Sequence, residues 1–242
     1  MFQADTSLAV IAYTEAQTRQ MTRVTLHKHV CAMMHWLESL DIKPGDRVLL
    51  FAPNSIEWIV VALATLRSEA IIVPVDTQMS RDDLAHVLKD SAPAIICVSE
   101  ETTNDLPFQP DCQWLKIEAI EATLPEYAEN NQTERTTEPD DEKLAALFYT
   151  SGTTGAPKGV PLTHGNLRSN VNALLTENIA KTSDRVLLPL PLHHVYPFSI
   201  GLLTVLAAGA TMVLPRSLVG PRIAEALRDS QASILLGVPR LY

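Results

Sequence analysis

The stretch Tyr149-Thr150-Ser151-Gly152-Thr153-Thr154-Gly155-Ala156-Pro157-Lys158-Gly159 gathers hydroxyls, glycines and one lysine behind the apolar run Leu144 to Phe148. Glycine lets backbone N–H groups approach an anion without a Cβ in the way, hydroxyls add donors, and a lysine adds charge, so the chemistry is that of holding a polyphosphate. The Walker-type loop needs glycine before its lysine and Ser or Thr after it, whereas Lys158 lies between Pro157 and Gly159. On composition alone an ordinary Ser/Thr/Gly surface turn competes with the phosphate reading. A second candidate is Pro191-Leu192-His193-His194-Val195-Tyr196-Pro197-Phe198. Paired histidines with aromatics after a buried strand suit a substrate wall, but no nucleophile or carboxylate adjoins them, and core histidines are the alternative. His27, His29 and His35 share no face with a completing carboxylate and read as solvated helix surface rather than metal ligands.

The elements around these residues follow a βαβ rhythm. Strand-like runs occur at residues 8–13, 47–51, 71–75, 94–98, 144–148, 185–188, 211–214 and 233–238. Helical periodicity follows Thr25, read as an N-cap, with Leu26, Val30, Met33, Leu37 and Leu40 on one face. Further helices are expected from Ile56 to about Ser68 behind the capping residues Asn54 and Ser55, after Ser80, and after Pro221. Another is expected after Thr163, with Leu167, Val171, Leu174, Leu175 and Ile179 on one face. The fold class is α/β, with parallel-sheet layers flanked by helices, and it puts the hydroxyl loop between a buried strand and a helix.

The 242 residues carry a net charge of −9, which argues against non-specific nucleic-acid binding. Residues 118–142 hold nine acids against Arg135, and this polar, aperiodic stretch reads as an acidic linker. Cys31, Cys97 and Cys112 have no metal-ligand spacing and fit a reducing cytoplasm. The N-terminus lacks a secretory pattern. The apolar run Phe198–Leu214 is broken by Ser199, Gly201, Thr204, Gly209 and Thr211 and falls short of the ~20 residues of a spanning helix, so it reads as helix, glycine turn and strand. Peripheral membrane contact stays open.

The order of these features resembles the amino-terminal part of the adenylate-forming enzymes, the AMP-binding superfamily that includes acyl-CoA synthetases, peptide-synthetase adenylation domains and beetle luciferases. The resemblance is carried by Gly45-Asp46-Arg47-Val48 with Pro53-Asn54-Ser55, and by Val73-Pro74-Val75-Asp76. It continues in Pro139-Asp140-Asp141 leading through Tyr149–Gly159 to Leu162-Thr163-His164-Gly165-Asn166-Leu167, and in Pro191-Leu192-His193-His194. It implies that ATP and Mg²⁺ activate a carboxylic acid to an acyl-adenylate with release of pyrophosphate, and that coenzyme A then displaces AMP. By the same match Thr150, Ser151, Gly152, Thr153, Thr154, Gly155 and Lys158 hold the phosphates, Thr150 also touches Mg²⁺, His194 lies beside the acyl carboxylate and Tyr196 at the acyl pocket. Lys158 and His194 are the expected catalytic residues, and His164 is expected to be structural.

Members of the superfamily run to about twice this length. The expectation is therefore an incomplete N-terminal AMP-binding domain over 1–242, with the linker at 118–142, the phosphate loop at 149–159, and the C-terminal domain with its lysine absent. Such a chain alone is expected to be inactive, and self-association through apolar surface near its end stays open. At Arg67-Ser68-Glu69-Ala70 the family usually has glycine before alanine. A fatty acyl-CoA synthetase is the expected parent. Transfer to a carrier protein, or a non-catalytic binding domain, are the alternative readings.

Overall fold

Short apolar runs become buried strands: β3 (Arg47–Phe51), β4 (Ile71–Pro74) and β5 (Ile95–Val98) are almost wholly out of solvent. A computed structural model describes residues 5–107, 112–122, 124, 139–150, 155–217 and 219–239. The chain divides into two units, Met1–His27 with Asn54–Ile56 and Arg168–Tyr242, and Lys28–Pro53 with Glu57–Leu167. Each unit carries its own sheet.

In the second unit the strand order is β6-β5-β3-β4-β7-β8, with β6 at Gln113–Lys116, β7 at Leu144–Thr150 and β8 at Lys158–Thr163. All pairings are parallel except β7 with β8. Helix α1 spans Arg23–Ser39, α2 spans Ile56–Arg67 and α3 spans Arg81–Ser91. As expected, Ser80 caps α3, its hydroxyl accepting from the Asp83 N–H at 3.2 Å, with Asp82 and Asp83 favourably placed in the first turn. Leu84, Val87 and Leu88 of α3 pack on Leu49, Phe51, Val73 and Ile96 to form the core. The core thiol of Cys97 is pushed up to about 12 by burial, which keeps it protonated.

In the first unit the order is β11-β9-β10-β1-β2, where β1 is Leu8–Tyr13, β2 Thr18–Thr22, β9 Arg185–Leu187, β10 Thr211–Leu214 and β11 Ile234–Leu235. Only β1 with β2 is antiparallel. Helix α5 (Gly220–Asp229) starts with proline as expected and lays Ile223 and Ala226 on Ile11, Leu187 and Val213. The apolar run from Phe198 is part of a π-helix, Pro197–Thr204, continued by the α-turn Val205–Ala207, a turn with Gly209 at φ 78° and then β10. Among the described residues no helix is long and apolar enough to cross a membrane.

Several expectations need correction. The cap of α1 is Thr22, whose hydroxyl accepts from Thr25 N–H at 3.2 Å, so Thr25 lies inside the first turn. The acidic stretch is not linker throughout: Ile117–Ala119 forms a 3₁₀ turn, and Ile120 and Leu124 are each 2 % exposed. Residues 125–138 lie outside the described residues. Helix α4 (His164–Thr176) ends before Ile179, which is exposed, and Val171, Leu174 and Leu175 are half-buried rather than core. The final strand shrinks from 233–238 to Ile234–Leu235.

Candidate functional site

The hydroxyl loop joins two antiparallel strands. This corrects the expectation of a direct strand-to-helix connection, because β8 intervenes before α4 and no helix N-terminus follows the loop. Thr150 ends β7 and Lys158 starts β8, and the two are partners across the antiparallel ladder of a β7–β8 hairpin. Both are exposed, as are Gly155 and Ala156, whereas Pro157 is buried. Ser151, Gly152, Thr153 and Thr154 lie outside the described residues.

Helix α3 holds both feet of this hairpin. The Tyr149 hydroxyl donates to Asp90 at 2.6 Å, and His86 Nε2 lies 3.1 Å from the Pro157 carbonyl oxygen. His86 and Asp90 are one helical turn apart and so share a face. Burial, then the neighbouring Asp90 carboxylate, pushes the Tyr149 phenol well above its ordinary value, which keeps it a donor. A Cβ on Gly159 would meet Leu147 Cδ1 at 2.9 Å and the Tyr149 ring at 3.4 Å, so glycine lets the Tyr149 ring lie close over β8. At the far end of β8, Thr163 and Asn166 exchange side-chain and backbone bonds at 3.0 and 3.1 Å, which caps α4. The His164 and Gly165 N–H groups donate to the Lys143 and Asp141 carbonyls. A Cβ on Gly165 would lie 2.9 Å from the Asp141 oxygen, so this glycine answers to a close backbone approach. His164 is buried among these contacts.

The histidine pair belongs to the other unit. Leu190 and Leu192 point into the core, His193 is half-buried, and His194, Val195 and Tyr196 are exposed before Pro197 and Phe198 turn inward. The two imidazoles are 4.2 Å apart between ring centroids, tilted by 59°. His194 is held by its backbone, its N–H donating to the Pro191 carbonyl at 3.3 Å and its carbonyl accepting from Phe198 N–H at 3.0 Å. The Tyr196 hydroxyl reaches the Gly237 carbonyl at 3.4 Å. The core-histidine alternative is therefore wrong for His194, which faces solvent. Asn54, read as a cap for α2, instead directs its amide to the backbone on both sides of Pro191, donating to the Leu190 carbonyl at 2.8 Å and accepting from Leu192 N–H at 2.9 Å. Sequence reasoning missed this role, as it missed His86 and Asp90, because nothing local in the sequence signals a partner so far along the chain.

Among the described residues no group of three or more His, Cys, Asp or Glu could hold a metal ion. Thr150 offers one neutral hydroxyl, a donor set that suits a hard cation arriving on a nucleotide's phosphates rather than a resident ion.

Residues 3–242 match the family model described as AMP-binding enzyme. The chain belongs to this family of adenylate-forming enzymes. AMP-binding relatives include the oxalate–CoA ligase of Arabidopsis thaliana, 34% identical over 81% of this chain and 40% of that protein. A feruloyl-CoA synthase from Amycolatopsis is 28% identical over 92% of this chain and 44% of its own length. The chain thus spans less than half the length of these curated relatives. Among solved structures, the inhibitor-bound N-terminal domain of FACL13 from Mycobacterium tuberculosis superposes with a TM-score of 0.85 at 23% identity, covering 98% of this chain and 60% of that one, and shows the shared fold.

Proposed function

We propose that this protein uses ATP to activate a carboxylic acid and transfers the acyl group to coenzyme A. The reading is carried by the glycine–hydroxyl–lysine hairpin loop, whose Lys158 is exposed at the mouth of a ladder clamped on both sides. In the first step a carboxylate oxygen bonds to the α-phosphorus of ATP, and the bond to the leaving pyrophosphate breaks. In the second the thiol sulfur of coenzyme A, losing its proton, bonds to the acyl carbon and AMP leaves. Neither step needs a protein nucleophile, so the chain's residues position the reactants and balance charge. Lys158 faces the phosphates as a fixed cation. Thr150, Ser151, Gly152, Thr153, Thr154 and Gly155 supply hydroxyl and backbone N–H donors to the same oxygens. Mg²⁺ would add charge neutralisation at the phosphates, with Thr150 among its oxygen ligands. His194 lies beside the acyl carboxylate, and Tyr196 lines the acyl chain's path.

The acid is proposed to be a fatty acid. From His193 to Leu214 the chain carries no Lys or Arg to meet a second carboxylate, while Val195 and Tyr196 present apolar surface. Relatives named for oxalate, malonate and long-chain fatty acids make this a choice to test. We place the reaction in the cytoplasm on cysteine usage.

The test is pyrophosphate exchange into ATP by the whole protein across fatty acids, oxalate, malonate, hydroxycinnamates and amino acids, followed by thioester formation with coenzyme A. Fatty acids are expected to support exchange, and Lys158→Ala to lower it on the order of a hundredfold, the usual scale for losing one electrostatic stabiliser. Exchange with no acid overturns the activity, and exchange with dicarboxylates or amino acids alone overturns the fatty-acid assignment.

A further inference from the structure

Asn54 carries an unassigned role. Its side-chain amide copies a strand's backbone: one edge donates to the Leu190 carbonyl at 2.8 Å while the other accepts from Leu192 N–H at 2.9 Å. These bonds bracket Pro191, which has no N–H of its own. With Leu190 and Leu192 buried, the backbone entering the histidine turn is fixed by two core side chains and two hydrogen bonds. The turn then closes on itself through His194 N–H to the Pro191 carbonyl and passes into the helical run through Phe198 N–H to the His194 carbonyl. His194 therefore sits between two anchored backbone points, with its ring left exposed. A part-buried amide serving two backbone groups of a distant segment stabilises that segment's geometry, since losing it leaves a part-buried acceptor and a part-buried donor without their partner.

We propose that Asn54 is the positioning residue for His194: it holds the Pro191–His194 turn so that the imidazole meets the acid's carboxylate, and it acts through His194 rather than on the substrate. The role of His194 rests on the function proposed above; the clamp itself does not.

Two measurements separate these layers. Hydrogen–deuterium exchange on the whole protein reads the clamp without any activity. Asn54→Ala is expected to speed exchange at Leu192 and through residues 192–198 by tenfold or more while β3, β4 and β5 keep their protection. Unchanged exchange at Leu192 overturns the clamp, whether or not any acid is activated. Pyrophosphate exchange then reads the coupling to His194. Asn54→Ala is expected to raise the KM for the acid or lower kcat by about tenfold, with the KM for ATP unchanged, and Asn54→Asp, which keeps the acceptor and loses the donor, to fall between it and the wild type. In a His194→Ala background the Asn54→Ala loss is expected to vanish, because the two act as one unit. Losses that multiply in the double variant, or an equal rise in the KM for ATP, overturn the positioning role and leave Asn54 a general structural residue. Should Asn54→Ala fold poorly by thermal melting, the same comparisons made with Asn54→Leu, close in size but with neither donor nor acceptor, decide the matter. Absence of exchange by the wild type with every acid overturns the proposed function and with it the role through His194, while the deuterium result still judges the clamp.

Discussion

Tyr149 covers Gly159 with its ring and donates to Asp90 with its hydroxyl, so one side chain ties the β7–β8 ladder to α3 one residue from Thr150, the cross-strand partner of Lys158. Asp90 is exposed, which limits the bond to about 1 kcal/mol or less. Tyr149→Phe and Asp90→Ala are each expected to raise the KM for ATP a few-fold, and the double variant no further than either alone. Steady-state kinetics with ATP and acid varied separately checks this, and an equal rise in both KM values would mean general loosening instead. The loop's place directly behind the apolar strand β7 was legible in the sequence. Its mooring was not, because Tyr149 and Asp90 are 59 residues apart and each looks ordinary in its own window.

At the scale of elements, strands buried at every position were readable, as β4, β5 and β10 show, since burial on both faces leaves a nearly continuous apolar run. Three of the four edge strands were not. β2 buries only Met21, β6 buries only Leu115, and β8 contains Pro161, which a strand tolerates only at a sheet's edge. That proline hid the hairpin and made the loop look as if it led straight to a helix. Helix ends explain one departure from the family pattern. At the end of α2, Glu69 N–H bonds to the Leu66 carbonyl and Ala70 N–H to the Thr65 carbonyl, a closure that places Glu69 in the left-handed region at φ 57°, where glycine is favoured. Glu69 also pairs with Lys143 at 2.6 Å. Replacing Glu69 with glycine relieves strain but removes a partly exposed ion pair, two effects of similar size. In a Lys143→Met background, Glu69→Gly is therefore expected to raise stability by about 0.5–1 kcal/mol, read from the urea midpoint at constant slope. No gain there would show that the left-handed turn carries no strain.

Across the whole molecule, the hydroxyl loop and the histidine turn belong to different units with different sheets. Ile96, fully buried at the centre of β5, anchors the core of the second unit. Ile96→Ala is expected to cost about 2–5 kcal/mol. Deuterium exchange should speed in β3, β4 and β5 while β1, β9 and β10 keep their protection, and equal loss in both sheets would mean that they unfold as one. The sheet of the first unit has a further consequence, in time. Strand β1 pairs with β10 through Val10 with Met212 and Ile11 with Val213, so its partner is made about two hundred residues later. At roughly 5–20 residues per second that is a wait of about 10–40 s on the ribosome, during which Ala9, Val10, Ile11 and Ala12 have no parallel neighbour. Strands β3, β4 and β5 lie between residues 47 and 98 and can pair well before then. A nascent chain of this protein can therefore hold the paired core of one sheet beside an apolar strand still waiting for its parallel partner.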